Sequence, residues 1–396
     1  MYRLSKTTRL FLAMAMLLLP LLAFLTVKAS QKTPGQTPAQ SAVSDREDSV
    51  YLYGLFHDVS NCDEVAGRIK TLSLHPTVLL SIEDGSNFML DMPGGEALLA
   101  CGVDALRASS HTVKALFLQD TSFLQDTSEA QRRASKLQDF LVKHPGSLAG
   151  AQVDIEPYVT EDWSCGTVPE RRQIFRSLSN VLRQVREKMP DLPLGVAVGW
   201  WTPATAADYP EGSPASLFQA VDELYLMVYG DEGGPVVAGS AERILSRINT
   251  PEFFSGPGRV YVALATYEYQ SPQQLQTELD TIRRELAVRP HFAGTAVFHA
   301  QSVFDAPLIR LVSGVVTDVA GKALPEVDVQ ADGAQDTTNR CGKFMLRGSS
   351  ALQAKMVFRK EGFKTLQVPV EVRRLGVEKE MGKIVLENDR GTGFKN

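Results

Sequence analysis

From Val50 onward, short continuous apolar runs alternate with longer stretches whose apolar positions recur every three or four residues. The runs are VYLYGLF (50–56), TVLLSI (77–82), TVKALFL (112–118), AGAQVDI (149–155), LPLGVAVGW (192–200), VDELYLMVY (221–229), RVYVALATY (259–267) and FAGTAVFH (292–299). Continuity of this kind marks strands buried on both faces. Their starts lie roughly 25 to 45 residues apart, the room that a strand, a loop and a crossover helix need. The stretches at 128–144, 169–189 and 271–288 place Arg, Glu and Gln opposite an apolar stripe, so they predict amphipathic helices. Eight such units predict an α/β fold, a (β/α)8 TIM barrel over 50–310, in preference to a doubly wound sheet. The helix after the fifth strand is short, and little helix follows the eighth. A tandem six-residue repeat, FLQDTSFLQDTS (117–128), reads as a lengthened loop over the barrel top.

After Leu311 the pattern becomes apolar-polar alternation with Gly and Asn/Asp turns, which predicts a small all-β antiparallel sandwich over 311–388. At the other end, Arg3, Lys6 and Arg9 precede an apolar run from Leu10 to Val27 and a small-x-small Val27-Lys28-Ala29. Residues 1–29 are therefore expected to be a signal peptide, either cut after Ala29 or kept as an uncleaved anchor. Residues 30–49, rich in Gln, Thr, Ser, Pro and Ala, read as a flexible linker, and 389–396 as a disordered tail. An exported protein follows: periplasmic, secreted, or anchored and facing outward.

Composition sharpens this. With 396 residues and 44% hydrophobic content, the chain has enough for one large core and a smaller module. Removing residues 1–29 takes away four basic residues and no acid, moving the net charge from −5 to −9. With no Lys/Arg stripe, nucleic acid is not an expected partner, and a membrane is one only through the N-terminal segment. Cys62, Cys101, Cys165 and Cys341 are far apart with no CxxC, so no metal and no cofactor is expected, while a disulfide is allowed. Three complete pairings exist. Cys62 with Cys101 is the expected one, and free buried thiols are the alternative to a second bridge for Cys165 and Cys341.

In a barrel of this kind, reactive groups gather at the C-terminal ends of the strands. The residues there are His57 and Asp58, Glu83 and Asp84, Gln119 and Asp120, Asp154 and Glu156, Trp200 and Trp201, Tyr229 and Asp231, Tyr267 and Glu268, and His299 and Gln301. Acids among flat aromatics suit sugar chemistry: carboxylates protonate a glycosidic oxygen and stabilise an oxocarbenium-like state, and rings stack on sugar C–H groups. Asp154 and Glu156, two apart, leave the same face of the fourth strand. Two close acids push one pKa upward, which makes a general acid near neutral pH. Trp201 is read as a sugar platform with Trp200 packing outward. His57, His299, Asp231, Tyr267 and Gln152 are read as substrate contacts.

With Gln152 in the same phase, the fourth run reads Q-x-D-x-E, which resembles the D-x-D-x-E signature of family-18 glycoside hydrolases, the chitinase-like enzymes. The resemblance implies Glu156 as catalytic acid, with Asp154 helping a substrate acetamido group act as nucleophile. VDELYLMVYGD resembles that family's sixth-strand segment, with Met227 matching and Tyr229 as a contact to the reacting sugar. The implied partner is a polysaccharide or glycan. In 311–387, G-x-V-x-D-x-x-G-x-x-L-x-x-V-x-V followed by TTNRCGKF is similar to carboxypeptidase regulatory-like domains, which implies a transthyretin-like packing or adhesion module. A rival geometry pairs Glu156 with Glu268 on the seventh strand, as in retaining barrel glycosidases whose carboxyls lie about 5 Å apart. Gln152 in place of an acid, and Phe298-His299 where the family places a tryptophan, leave two further classes open: a non-catalytic glycan-binding or envelope protein, and a scaffold barrel serving the sandwich.

Overall fold

The computed structural model describes residues 47–72, 76–84, 87–199, 210–229, 241–248, 251–254, 256–266, 269, 271–298, 310–331, 333–348, 353–371 and 378–389. The expected signal, most of the linker and the C-terminal tail lie outside these residues, as do Trp200, Trp201, Asp231, Tyr267, Glu268, His299 and Gln301.

All eight apolar runs become strands: β1 (Glu47–Leu52), β2 (Thr77–Ser81), β3 (Thr112–Phe117), β4 (Gly150–Val153), β5 (Leu194–Gly199), β6 (Glu223–Met227), β7 (Arg259–Ala265) and β8 (Phe292–Phe298). Each pairs in parallel with its sequence neighbours, and β8 closes on β1. Crossovers include α1 (Cys62–Lys70), α2 (Gly95–Ala108), α3 (Thr127–Lys143), α4 (Glu161–Ser164), α5 (Val168–Lys188), α6 (Pro214–Leu217), α7 (Ala241–Ile248), α8 (Pro251–Phe254) and α9 (Pro272–Glu285). After β5, where a short helix was expected, a 3-10 turn (Pro210–Gly212) and the four-residue α6 are described.

Alternation along the strands sorts side chains into two layers. Val50, Leu52, Val113, Ala115, Ala151, Val153 and Ile155 pack outward against helical residues such as Val65, Leu137 and Leu182. Tyr51, Leu79, Leu116, Tyr225, Met227 and Tyr261 fill the barrel interior. Gly195 belongs to this interior packing, because a Cβ there would come within 2.8 Å of the Tyr225 ring. Since Ala151, Val153 and Ile155 face out, Gln152, Asp154 and Glu156 share the inward phase.

The N-terminal end of the barrel is closed by charge. Glu47, Glu223 and Arg259 are each the first residue of a strand. Lys114, almost fully buried, donates to Glu223 at 2.8 and 3.0 Å and to the Tyr225 hydroxyl at 3.2 Å, and Arg259 reaches the same carboxylate. The Tyr261 hydroxyl donates to Glu47 at 2.8 Å. Asp48 takes hydrogen bonds from Thr295 at 2.8 Å and Arg283 at 3.0 Å. These partners correct the linker boundary: Glu47, Asp48 and Ser49, expected in the tether, are residues of β1, and the carboxylates of Glu47 and Asp48 find hydrogen-bond partners inside the fold.

The tandem repeat holds more structure than a loop. Its two aspartates each cap a helical segment: Asp120 accepts from the Ser122 amide at 2.7 Å before a single 3-10 turn (Thr121–Leu124), and Asp126 accepts from the Ser128 amide at 3.0 Å at the start of α3.

Beyond the barrel, β9 (Arg310–Asp318), β12 (Lys343–Gly348) and β15 (Glu378–Leu386) form a three-stranded sheet. The second sheet has four strands, β10 (Asp328–Ala331), β11 (Ala334–Thr337), β13 (Gln353–Arg359) and β14 (Leu366–Glu371). A separate core of Val316, Val327, Val329, Phe344, Met356, Phe358 and Leu386 lies between them. The pairing is not wholly antiparallel as expected, because β9 and β15 run parallel. Barrel and sandwich together make one compact unit from Glu47 to Asn396.

Cys62 and Cys101 are bonded, linking α1 to α2 as expected. Cys165 and Cys341 are also bonded, which selects the second bridge over free thiols and ties the barrel to the sandwich.

Candidate active site

The ladder of β4 ends at Val153, and Asp154, Ile155 and Glu156 follow before Pro157 starts a 3-10 turn (Pro157–Val159). Proline supplies the fixed φ that opens such a turn and disfavours the helical region for Glu156, which sits at φ −98° and ψ 81°. Both carboxyls are therefore delivered at the C-terminal mouth of the barrel, Asp154 almost fully buried and Glu156 partly so.

Tyrosines surround them. The Tyr53 hydroxyl, on the extension of β1, donates to Asp154 Oδ2 at 3.1 Å. Tyr158 hydrogen-bonds Glu156, and its hydroxyl lies 3.6 Å from Met227 Sδ. One step deeper, Gln152 Nε2 donates to the Tyr51 hydroxyl at 2.7 Å, and the Tyr51 and Tyr53 rings run parallel at 6.3 Å. Phe298, ending β8, packs edge-on against Tyr53 at 5.5 Å and stacks with Tyr229 at 5.4 Å. A line of aromatic rings thus runs from Tyr229 to the Asp154 carboxyl.

The electrostatics follow from burial beside like charge. Glu156 is pushed up from 4.5 to about 7, first by desolvation and then by Asp154, with the Tyr158 hydrogen bond opposing. Asp154 is pushed up to about 6 by desolvation, against the Tyr53 hydrogen bond, with Glu83 adding repulsion. Two carboxyls at one mouth that hold protons near neutral pH can exchange a proton with a bound oxygen. Among the described residues, Asp154 Oδ1 and Gln152 Oε1 are buried without a hydrogen-bond partner. Asp154 Oδ1, at the mouth, is an acceptor that a ligand N–H or O–H can satisfy.

The other expected residues divide. Glu83 is committed to structure: it accepts from the backbone amides of Leu118 and Gln119, each at 3.0 Å, and from Arg133 at 2.7 Å. Leu118 adopts φ 54° to aim its amide there. Gln119 donates to Ser81 at 2.8 Å. His57 stands in an exposed turn with Nε2 3.2 Å from Asp58, because Gly54, at φ 63°, turns the chain away after Tyr53. The structure thus unites Asp154, Glu156, Gln152 and Tyr229. Gln152, expected as a substrate contact, is fully buried beneath the acids. Tyr53, Tyr158 and Phe298 were missed. The i, i+2 argument applied to Asp154 and Glu156 identifies Tyr51 and Tyr53 equally well, had it been applied to the end of the first run. Among the described residues, no group of three or more His, Cys, Asp or Glu side chains is placed to hold a metal ion.

No family model matches the chain, and no curated protein does. Solved structures do. A GH18 chitinase from Pseudoalteromonas aurantia is 15% identical, with 63% of this chain and 92% of that one covered at a TM-score of 0.41. An endo-1,4-beta-mannanase from Eisenia fetida is 11% identical, covering 64% and 85% at 0.40. An exo-beta-1,4-mannosidase from Opitutaceae bacterium strain TAV5 is 14% identical at 0.44, covering 64% of this chain and about half, 52%, of that longer one. Likenesses at this level carry no argument about activity, so the functional reading rests on the site itself.

Proposed function

We propose that the chain is an exported glycoside hydrolase that cleaves a glycosidic bond in a polysaccharide or glycan. Glu156 is the general acid, Asp154 its electrostatic partner and Tyr229 a substrate contact. The observation that carries the reading is the Asp154–Glu156 pair itself, in the inward phase at the end of β4, partly desolvated and flanked by aromatic rings. A proton held on Glu156 to about pH 7 is available to a departing glycosidic oxygen at neutral or mildly acidic pH. Asp154, ionising first, then faces the positive charge that develops at the anomeric carbon. Its orphan Oδ1 suits a substrate amide N–H, which favours amino-sugar polymers and the acetamido-assisted route over one needing a second protein carboxylate. Two disulfides favour an oxidising compartment, in keeping with export. The sandwich is read as a carboxypeptidase regulatory-like packing module.

The test is release of reducing ends from amino-sugar polysaccharides by wild type and by Glu156→Gln. The reading expects release by wild type and loss of it in the variant, and equal rates in the two proteins sink the assignment. A second reading, a glycan-binding protein without turnover, is favoured by the neutral Gln152, bonded to Tyr51, at the third in-phase position. Sugar binding by wild type with no product released selects it.

A further inference from the structure

We propose that the sandwich braces the general acid: the Cys165–Cys341 bridge and the turn at 339–343 position the segment that carries Glu156. The inference rests on the reading of Glu156 as the acid.

That segment has little of its own to hold it. Between Glu156 and Cys165 lie one 3-10 turn and the four-residue α4, too short to be stable alone. On the barrel side, Trp163 anchors it: the ring is almost fully buried, 5.2 Å from Phe175 and 5.2 Å beneath the Arg171 guanidinium. Thr160 accepts from the Trp163 amide at 3.2 Å and donates to the Pro157 carbonyl at 2.6 Å.

On the other side the anchor comes from the sandwich. The Arg340 amide donates to the Glu161 carboxylate, and the Arg340 guanidinium lies 3.4 Å from Asp162. Asn339 Nδ2 reaches Ser164 Oγ at 3.3 Å, and Lys343 Nζ reaches the Ser164 carbonyl at 3.3 Å. Cys165 is then bonded to Cys341. The gripping turn is itself stiff. Asn339 Oδ1 accepts from the amides of Cys341 at 3.2 Å and Lys343 at 2.9 Å, and Gly342 sits at φ 75°, where a Cβ would meet the Val316 carbonyl oxygen at 2.3 Å. The chain between Pro157 and Cys165 is thus clamped from both sides. It carries Tyr158, the hydrogen-bond partner of Glu156, so loosening the clamp lets the acid and its partner drift from the geometry that protonates a leaving group.

Cys341→Ser, made in the full chain, tests this by hydrogen exchange of peptides spanning 156–165 and by steady-state kinetics. The expected result is roughly tenfold faster exchange of those peptides, with the barrel strands exchanging as in wild type. Where wild type turns over, kcat falls about tenfold with KM nearly unchanged, because position rather than binding is lost. Wild-type exchange at 156–165, or loosening spread over the whole barrel, overturns the proposal. Should that variant fail to fold, Asn339→Ala, which keeps the bridge but removes the side chain that reaches Ser164 and holds the amides of Cys341 and Lys343, decides on the same readout: faster exchange at 156–165 supports the brace and unchanged exchange refutes it. A wild type that releases no product sinks the hydrolase reading, yet the exchange measurement still decides the brace.

Discussion

Replacing Glu156 by glutamine should stabilise the protein at alkaline pH and leave its stability unchanged at acidic pH. Burial, and then Asp154, raise the folded-state pKa of Glu156 from 4.5 to about 7. The folded chain therefore binds this proton more tightly than the unfolded chain, and the group's contribution is fully present below about pH 4.5. It is lost progressively as pH rises to about 7, beyond which the fold carries the whole cost of an ionised buried carboxyl. A displacement of this size corresponds to about 3 kcal/mol. Glutamine keeps the shape without the charge, so the variant should match wild type at pH 4.5 and exceed it by about 3 kcal/mol at pH 8. Denaturant unfolding followed by tryptophan fluorescence suits the measurement, because Trp163, Trp200 and Trp201 are the only tryptophans and all fall in the barrel region. A stability difference equal at the two pH values, or a variant less stable at pH 8, refutes the electrostatic account of the pair.

Other perturbations probe separate parts of the molecule. Tyr53→Phe removes the donor to Asp154 Oδ2, so Asp154 should hold its proton more tightly and the acid limb of the pH–rate profile should move upward, by roughly one unit; an unmoved limb contradicts that assignment. Glu223→Gln leaves buried Lys114 with Glu47, 3.8 Å away, as its one carboxylate partner among the described residues, and should cost about 3 kcal/mol in chemical denaturation; a loss below about 1 kcal/mol would show the basal network to be dispensable. Cys62→Ser with Cys101→Ser opens a link 39 residues apart and should lower stability by about 3 kcal/mol, read as a shifted urea midpoint.

The barrel was legible because a strand buried on both faces is written as an unbroken apolar run, and eight such runs spaced for crossovers admit few folds. Legibility failed where charge was hidden. Glu47 and Asp48 look like tether, and Lys114 and Glu223 look like interruptions, because nothing local announces that Lys114 meets Glu223 and Glu47 inside the barrel or that Asp48 meets Arg283 of α9. Asp154 and Glu156 stood out through their two-residue spacing at a strand end, whereas Tyr158 lies beyond a proline that breaks the period. Cys165 and Cys341 lie 176 residues apart, and their pairing depends on where the sandwich docks, which no local pattern encodes.

If Glu156 donates the proton in glycosidic cleavage, its removal should hurt in proportion to the leaving group's need for that proton. Rates of wild type and Glu156→Gln on aryl glycosides of one sugar, with phenols of graded acidity, separate proton donation from binding. The account predicts that the variant loses about 10²–10⁴-fold on poor leaving groups and far less on the most acidic phenols, which need no proton. A uniform loss across the series, or none, contradicts it.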